Sequence, residues 1–195
     1  MRNRDLGALT AALTVVTATD ALLLPGMAAW SALLRVSYFR IIMPYIDMLG
    51  VAVLILKLVS GILFCRWLYV AGDNLLLAGF HNLRFTPAKR VLSFFVPIAS
   101  FFMPFLGMRE LWNASHGEPN LARNHPLVSA WWALWMLGGL LTASLFLVTG
   151  LLAFAAFALL MVEWLIQGVI VILMIHAVTR AQISLNREDD GDVFA

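Results

Sequence analysis

The residues best suited to chemistry in this chain are polar groups set inside apolar runs. Asp20 interrupts the first apolar run, Lys57 lies within the second, and Glu163 and Gln167 stand one helical turn apart in the last, with His176 further along. An ionisable group inside a bilayer costs about 2.5–3.5 kcal/mol on insertion scales, so it marks either a paired or a functional position. Lys57 is predicted to form a buried pair with Glu163 or with Asp20. Such a cluster supports a proton or ion relay. It equally supports a polar clasp that fixes helix register, or a lysine that snorkels outward. The clasp is the preferred expectation.

Other reactive residue types have plainer readings. His116 and His125 flank the loop from Gly117 to Asn124, and no carboxylate or cysteine cluster completes a metal site around them. His81 and His176 both approach one end of the apolar runs, but no haem-attachment motif accompanies them. The single cysteine, Cys65, sits in an apolar run and reads as packing. Trp131, Trp132 and Trp135, with Trp112 and Trp67, read as an aromatic belt at a membrane interface. No phosphate loop, dinucleotide turn, nucleophile elbow or HExxH pair occurs, so no catalytic constellation is visible, and neither metal nor cofactor is expected.

The elements that position these residues follow from composition. The 195 residues are 62% hydrophobic and 12% charged, with a mean hydropathy of +0.90. A soluble domain carries about twice that share of charge. The basic residues are scattered and the net charge is +2, which excludes a nucleic-acid stripe. The apolar residues come in blocks close to the length that crosses a bilayer. The N-terminal run imitates a secretory signal, but Asp20 and Pro25-Gly26 argue for its retention as a first span. The reading is an all-α integral membrane four-helix bundle forming a single domain over residues 1–195. Its spans fall at about 6–28, 45–66, 127–149 and 151–178, with a helical extension of the second through Leu75, Leu76 and Phe80. The last two spans form a hairpin turning near Thr149-Gly150, and a charged tail covers 186–195.

Residues 67–126 connect spans two and three and contain a further apolar run, Val91 to Met108. Those 18 residues reach only about 27 Å as a helix, short of the bilayer core. Pro97 and Pro104 would each free a carbonyl inside such a helix, and a freed carbonyl is costly in lipid. Ser93, Ser100 and Gly107 recur every seven residues, so Ser93, Pro97, Ser100, Pro104 and Gly107 are predicted to form a close helix-contact face. The expectation is a Pro-kinked helix that lies at the interface or re-enters. The basic residues agree. With this segment not crossing, Arg2, Arg4, Arg66, Arg84, Lys89, Arg90, Arg109, Arg123, Arg180 and Arg187 share one side and only Arg35 and Arg40 the other. That bias places both termini in the cytoplasm of a bacterial inner membrane.

Several motifs between Arg66 and Leu137 also carry a family resemblance. They are Arg66-Trp67-Leu68-Tyr69 with Asn74-Leu75, Leu83-Arg84-Phe85-Thr86-Pro87, Phe95-Val96-Pro97, Met103-Pro104-Phe105, Arg109-Glu110-Leu111-Trp112-Asn113-Ala114-Ser115 and Trp131-Trp132-Ala133-Leu134-Trp135. In order and spacing this stretch resembles the bacterial membrane family known as domain of unknown function 4328. The resemblance implies a membrane fold and brings no activity with it. The functional expectation is a non-catalytic multi-pass protein, an interaction or accessory subunit that meets the bilayer and either a protein partner or further copies of itself. The alternative is a small transporter or channel component that uses Asp20, Lys57 and Glu163.

Overall fold

A computed structural model describes the backbone of residues 6–192 and the side chains of residues 6–185. Among the described residues every regular element is helical. In order, the elements are α1 (Gly7–Leu33), α2 (Arg35–Ile41), a single 3-10 turn at Met43–Tyr45, α3 (Ile46–Leu77), α4 (Pro87–Leu92), a second 3-10 turn at Ala99–Phe101, α5 (Met103–Ser115), α6 (Pro126–Ser144) and α7 (Gly150–Asp192). Among the described residues four helices are long and apolar enough to cross a membrane. Two exceed the need: α3 has 32 residues and α7 has 43, or about 48 and 64 Å, against a hydrocarbon core of about 30 Å.

The first helix continues through Pro25-Gly26 to Leu33, beyond the break those two residues suggest. Proline removes one hydrogen bond from a helix, but in an apolar run no competing water rewards breaking the rest. The third helix ends where the sequence supplies a positive-φ residue. Gly79 has φ 89°, and the Phe80 amide reaches the Leu75 carbonyl at 3.0 Å while that of Gly79 reaches Leu76 at 3.1 Å. This is a Schellman end, and Gly117 (φ 66°) closes α5 in the same way.

Between α4 and α5 the backbone is not one bent helix. Thr86 caps α4 by accepting the Lys89 amide at 3.2 Å, with Pro87 in the first turn. The helix stops at Leu92, and Ile98 adopts φ 67°, ψ −53°. The Ala99 amide donates to the Pro97 carbonyl at 2.7 Å, which makes a γ-turn of the strained kind. Pro104 then stands in the first turn of α5, where its missing N–H is harmless, so it starts a helix instead of kinking one. Ser93 therefore follows α4, Ser100 lies in the 3-10 turn and Gly107 in α5. The seven-residue recurrence is not carried on one continuous helix.

The described residues separate into two compact units. The first draws on 6–13, 62–130 and 173–192, and it holds most of the core: Leu13, Trp67, Leu68, Ala71, Leu75, Met108, Leu111, Val128, Met174, Ile175 and Val178 are at most 2% exposed. The second comprises Thr14–Gly61 and Trp131–Ile172. It buries few large apolar side chains, Trp131, Leu160 and Met161 among them, and exposes many, including Val15, Leu22, Leu54, Leu58, Leu140, Phe154 and Val169. An apolar exterior of this extent is stable only against lipid or another apolar surface.

Candidate functional site

In the first unit the buried polar side chains face one another. Trp67 sits on α3, and its indole N–H lies 3.1 Å from the Thr10 hydroxyl and 3.3 Å from that of Thr179, which are 2.8 Å apart. One to two turns along α3, Gln182 donates to the Ala71 carbonyl at 2.9 Å and to the Ser115 hydroxyl at 3.0 Å, and it accepts from Asn74 at 3.4 Å. These bonds tie α1, α3, α5 and α7 within the unit. A satisfied buried network fixes which faces of the helices meet, because any other register strands a polar group.

An ion pair anchors the segment between α3 and α5. Glu110 on α5 accepts from the Arg84 amide at 2.8 Å, the Phe85 amide at 3.1 Å and Arg90 Nη2 at 2.8 Å. Arg90 is 1% exposed, and its Nε and Nη1 have no partner among the described residues. Burial holds its guanidinium below the ordinary value, and the Glu110 charge and hydrogen bond offset part of that. Gly72 makes the fit possible, since a Cβ there would lie 2.5 Å from Arg90 Nη1. Beside this, Trp112 is stacked between two imidazoles, His116 at 4.4 Å and His125 at 4.2 Å between centroids.

The stability of the Trp112 stack is expected to depend on pH. Burial first, then the charges of His116 and Arg123, hold the His125 imidazole below its ordinary value. A proton therefore binds the unfolded chain more readily than the folded one. The contribution of neutral His125 is complete above an unfolded value of about 6.5 and is lost as pH falls through the folded value. Thermal unfolding of the purified protein should show acid destabilisation below about pH 6. His125→Phe, which keeps a ring on Trp112, should flatten that dependence. An unchanged acid slope in the variant would refute the assignment.

In the second unit the predicted polar residues divide into two groups. Lys57 Nζ on α3 donates to both carboxylate oxygens of Asp20 on α1, at 3.1 and 3.3 Å, and lies 4.0 Å from the ring centroid of Trp164 on α7. Of the two partners the sequence allows, Lys57 contacts Asp20. Glu163 instead is 4% exposed, and its Oε2 has no hydrogen-bond partner among the described residues; nor has Gln167 Oε1. Both line an open cleft of about 350 Å³ between α6 and α7, together with Trp135, Met136, Gly138, Gly139, Thr142 and Trp164. Gly138 admits the carboxylate, since a Cβ there would stand 2.8 Å from Glu163 Oε2. On the other side of α7, a Cβ at Gly168 would collide with that of Ala21, so α1 and α7 approach closely there.

Of the predicted contact face, Ser93, Pro104 and Gly107 are buried, Ser100 is half-buried and Pro97 is exposed. Ser93 donates to the Arg90 carbonyl at 2.7 Å, and Gly107 lies against Arg90 and Phe85. Sequence reasoning missed Arg90, Glu110, Thr10, Asn74, Thr179 and Gln182. The available signal was a lone acid at the head of Glu110-Leu111-Trp112 and amides inside apolar patterns at Asn74 and Gln182.

An all-helical chain with four helices of membrane-spanning character, one unit knit by buried polar bonds and one apolar outside, is the class that fold and site define. The chain belongs to the family described as domain of unknown function (DUF4328), which it matches over residues 45–182. Many of the residues that carried the resemblance, Trp67, Asn74, Phe85, Glu110, Trp112 and Ser115, lie buried in the first unit. No curated protein and no solved structure matches it.

Proposed function

We propose that this chain is a non-catalytic, multi-pass protein of a bacterial inner membrane, an interaction or accessory subunit of a membrane complex. The observation that supports this reading is that three sets of charged and amide groups inside the fold are turned to one another. Lys57 meets Asp20, Arg90 meets Glu110, and Gln182 meets Asn74 and Ser115. Groups held this way fix helices, while the apolar exterior of the second unit is left for lipid and partner helices. Native mass spectrometry of gently solubilised membranes tests it. A stoichiometric protein partner is expected, and a partner-free homo-oligomer that conducts ions in liposomes would overturn it. A second reading, a small transporter or channel component, draws support from the unpartnered oxygens of Glu163 and Gln167.

The proposed topology is one membrane domain, a four-helix bundle with both termini cytoplasmic, because of the basic residues on that side. The segment between α3 and α6 then lies at the cytoplasmic interface or re-enters the bilayer. The exposed Phe95, Val96, Ile98, Phe101 and Phe102 between α4 and α5 support that placement, since such a cluster is costly in water and favourable in the headgroup and acyl boundary. Cysteines introduced at Ala88 and Asn120 should resist membrane-impermeant maleimide from the periplasmic side. Strong labelling of either position would reject this orientation.

A further inference from the structure

We propose that the cleft between α6 and α7 binds a ligand bearing a primary ammonium group. Its floor is built of acceptors. Glu163 Oε2 and Gln167 Oε1 are buried and unpartnered among the described residues, and they lie one turn apart on α7. Buried acceptors without donors are costly, and a structure that retains two of them in one open cleft is prepared for a donor. Lys57 gives its hydrogen bonds to Asp20 at 3.1 Å and acts on Glu163 only through its charge, so the carboxylate keeps its accepting capacity for another donor. The walls fit: Trp135 and Thr142 line the cleft beside Trp164, whose ring Lys57 already approaches at 4.0 Å, and an indole face such as that of Trp135 attracts a cation. Gly138 gives the carboxylate its place at the cleft, as a Cβ there would press on it at 2.8 Å. An ammonium offers three N–H donors to these oxygens, whereas a quaternary ammonium offers charge with none. The chemistry is met both by a free lipophilic amine and by the headgroup of phosphatidylethanolamine. The site stands whether or not its ligand crosses the membrane, so it is tested by binding alone.

The experiment uses the full chain in nanodiscs of phosphatidylcholine, with thermal unfolding as the readout, since a ligand that binds the native state raises Tm saturably. Hexylammonium should raise Tm, and hexanol should not. Glu163→Gln, which preserves shape, should weaken apparent hexylammonium affinity by about tenfold or more, as expected for a lost charge-assisted bond. Gln167→Leu keeps the carboxylate and should weaken it to a smaller degree, which serves if Glu163→Gln folds poorly. Replacing phosphatidylcholine by phosphatidylethanolamine distinguishes the sources. A Glu163-dependent rise in Tm with competition against hexylammonium identifies the headgroup, and no effect identifies a free amine. Equal shifts with hexanol and hexylammonium, or an undiminished response in both variants, would overturn the site.

Discussion

Glu110→Leu is expected to produce the largest loss of stability of any single substitution in the first unit. Three donors converge on this carboxylate: the amides of Arg84 and Phe85 and the guanidinium of Arg90, at 2.8, 3.1 and 2.8 Å. Removing one partner of a buried ion pair leaves an uncompensated charge and typically costs about 3–5 kcal/mol. Arg90 has no route to water as it stands, being 1% exposed and pressed against Gly72 and Gly107. For a chain of this size the loss corresponds to a fall in Tm on the order of 10 °C. Arg90→Met should cost less, because Glu110 keeps two backbone donors. The double variant should be more stable than the sum of the singles predicts, with a coupling well above about 0.5 kcal/mol. Glu110→Gln retains an acceptor and should fall between. Denaturant or thermal unfolding of the solubilised protein measures all four. A Glu110→Leu loss below about 1 kcal/mol would mean that the loop between α3 and α4 opens to let Arg90 reach solvent.

The same residues show where sequence reasoning reached and where it stopped. Helical character and the four helices of spanning length follow from the size of the apolar blocks, a property each segment carries by itself. The ends of α3 and α5 are equally local, because Gly79 and Gly117 supply the conformation a helix needs to stop. Residue pairing is not local. Depth along a helix can be counted, but rotation about its axis cannot, and neighbouring residues differ by about 100°. Lys57 could thus be placed among apolar residues without deciding between Asp20 and Glu163. Arg90 shows the opposite error. By type it reads as a solvated basic residue beside Lys89, yet α4 turns it inward onto Glu110 while Lys89 remains exposed. Six residues of helix carry too little pattern to reveal which face is buried. Pro97 and Pro104 pointed to a kinked helix, but the form of the break between α4 and α5 depended on the γ-turn at Ile98, for which a β-branched residue gives no signal.

Within the second unit, removing Lys57 should destabilise the protein mainly through Asp20 and less through Glu163. Lys57 Nζ holds both oxygens of Asp20 and rests on the Trp164 ring at 4.0 Å. The two side chains are 37% and 26% exposed, and where that exposure is to lipid it brings no solvent screening. An unpaired charge there costs about 2.5–3.5 kcal/mol. Part of this is recovered when the survivor changes its protonation state, so each single loss should be smaller. Lys57→Met and Asp20→Asn should each lower stability by about 1–3 kcal/mol, and the double variant should cost little more than either one alone. Trp164→Leu should remove a further contribution of about 1–2 kcal/mol from Lys57, and nothing once Lys57 is methionine. The cycle joining Lys57→Met to Glu163→Gln should show weaker coupling than the one with Asp20, since Lys57 acts on the Glu163 carboxylate through its charge and without a hydrogen bond. Stronger coupling in that cycle than in the one with Asp20 would show that Lys57 turns to Glu163 in the membrane. In that case the clasp between α1 and α3 would be lost, and the carboxylate of the cleft would already have its donor.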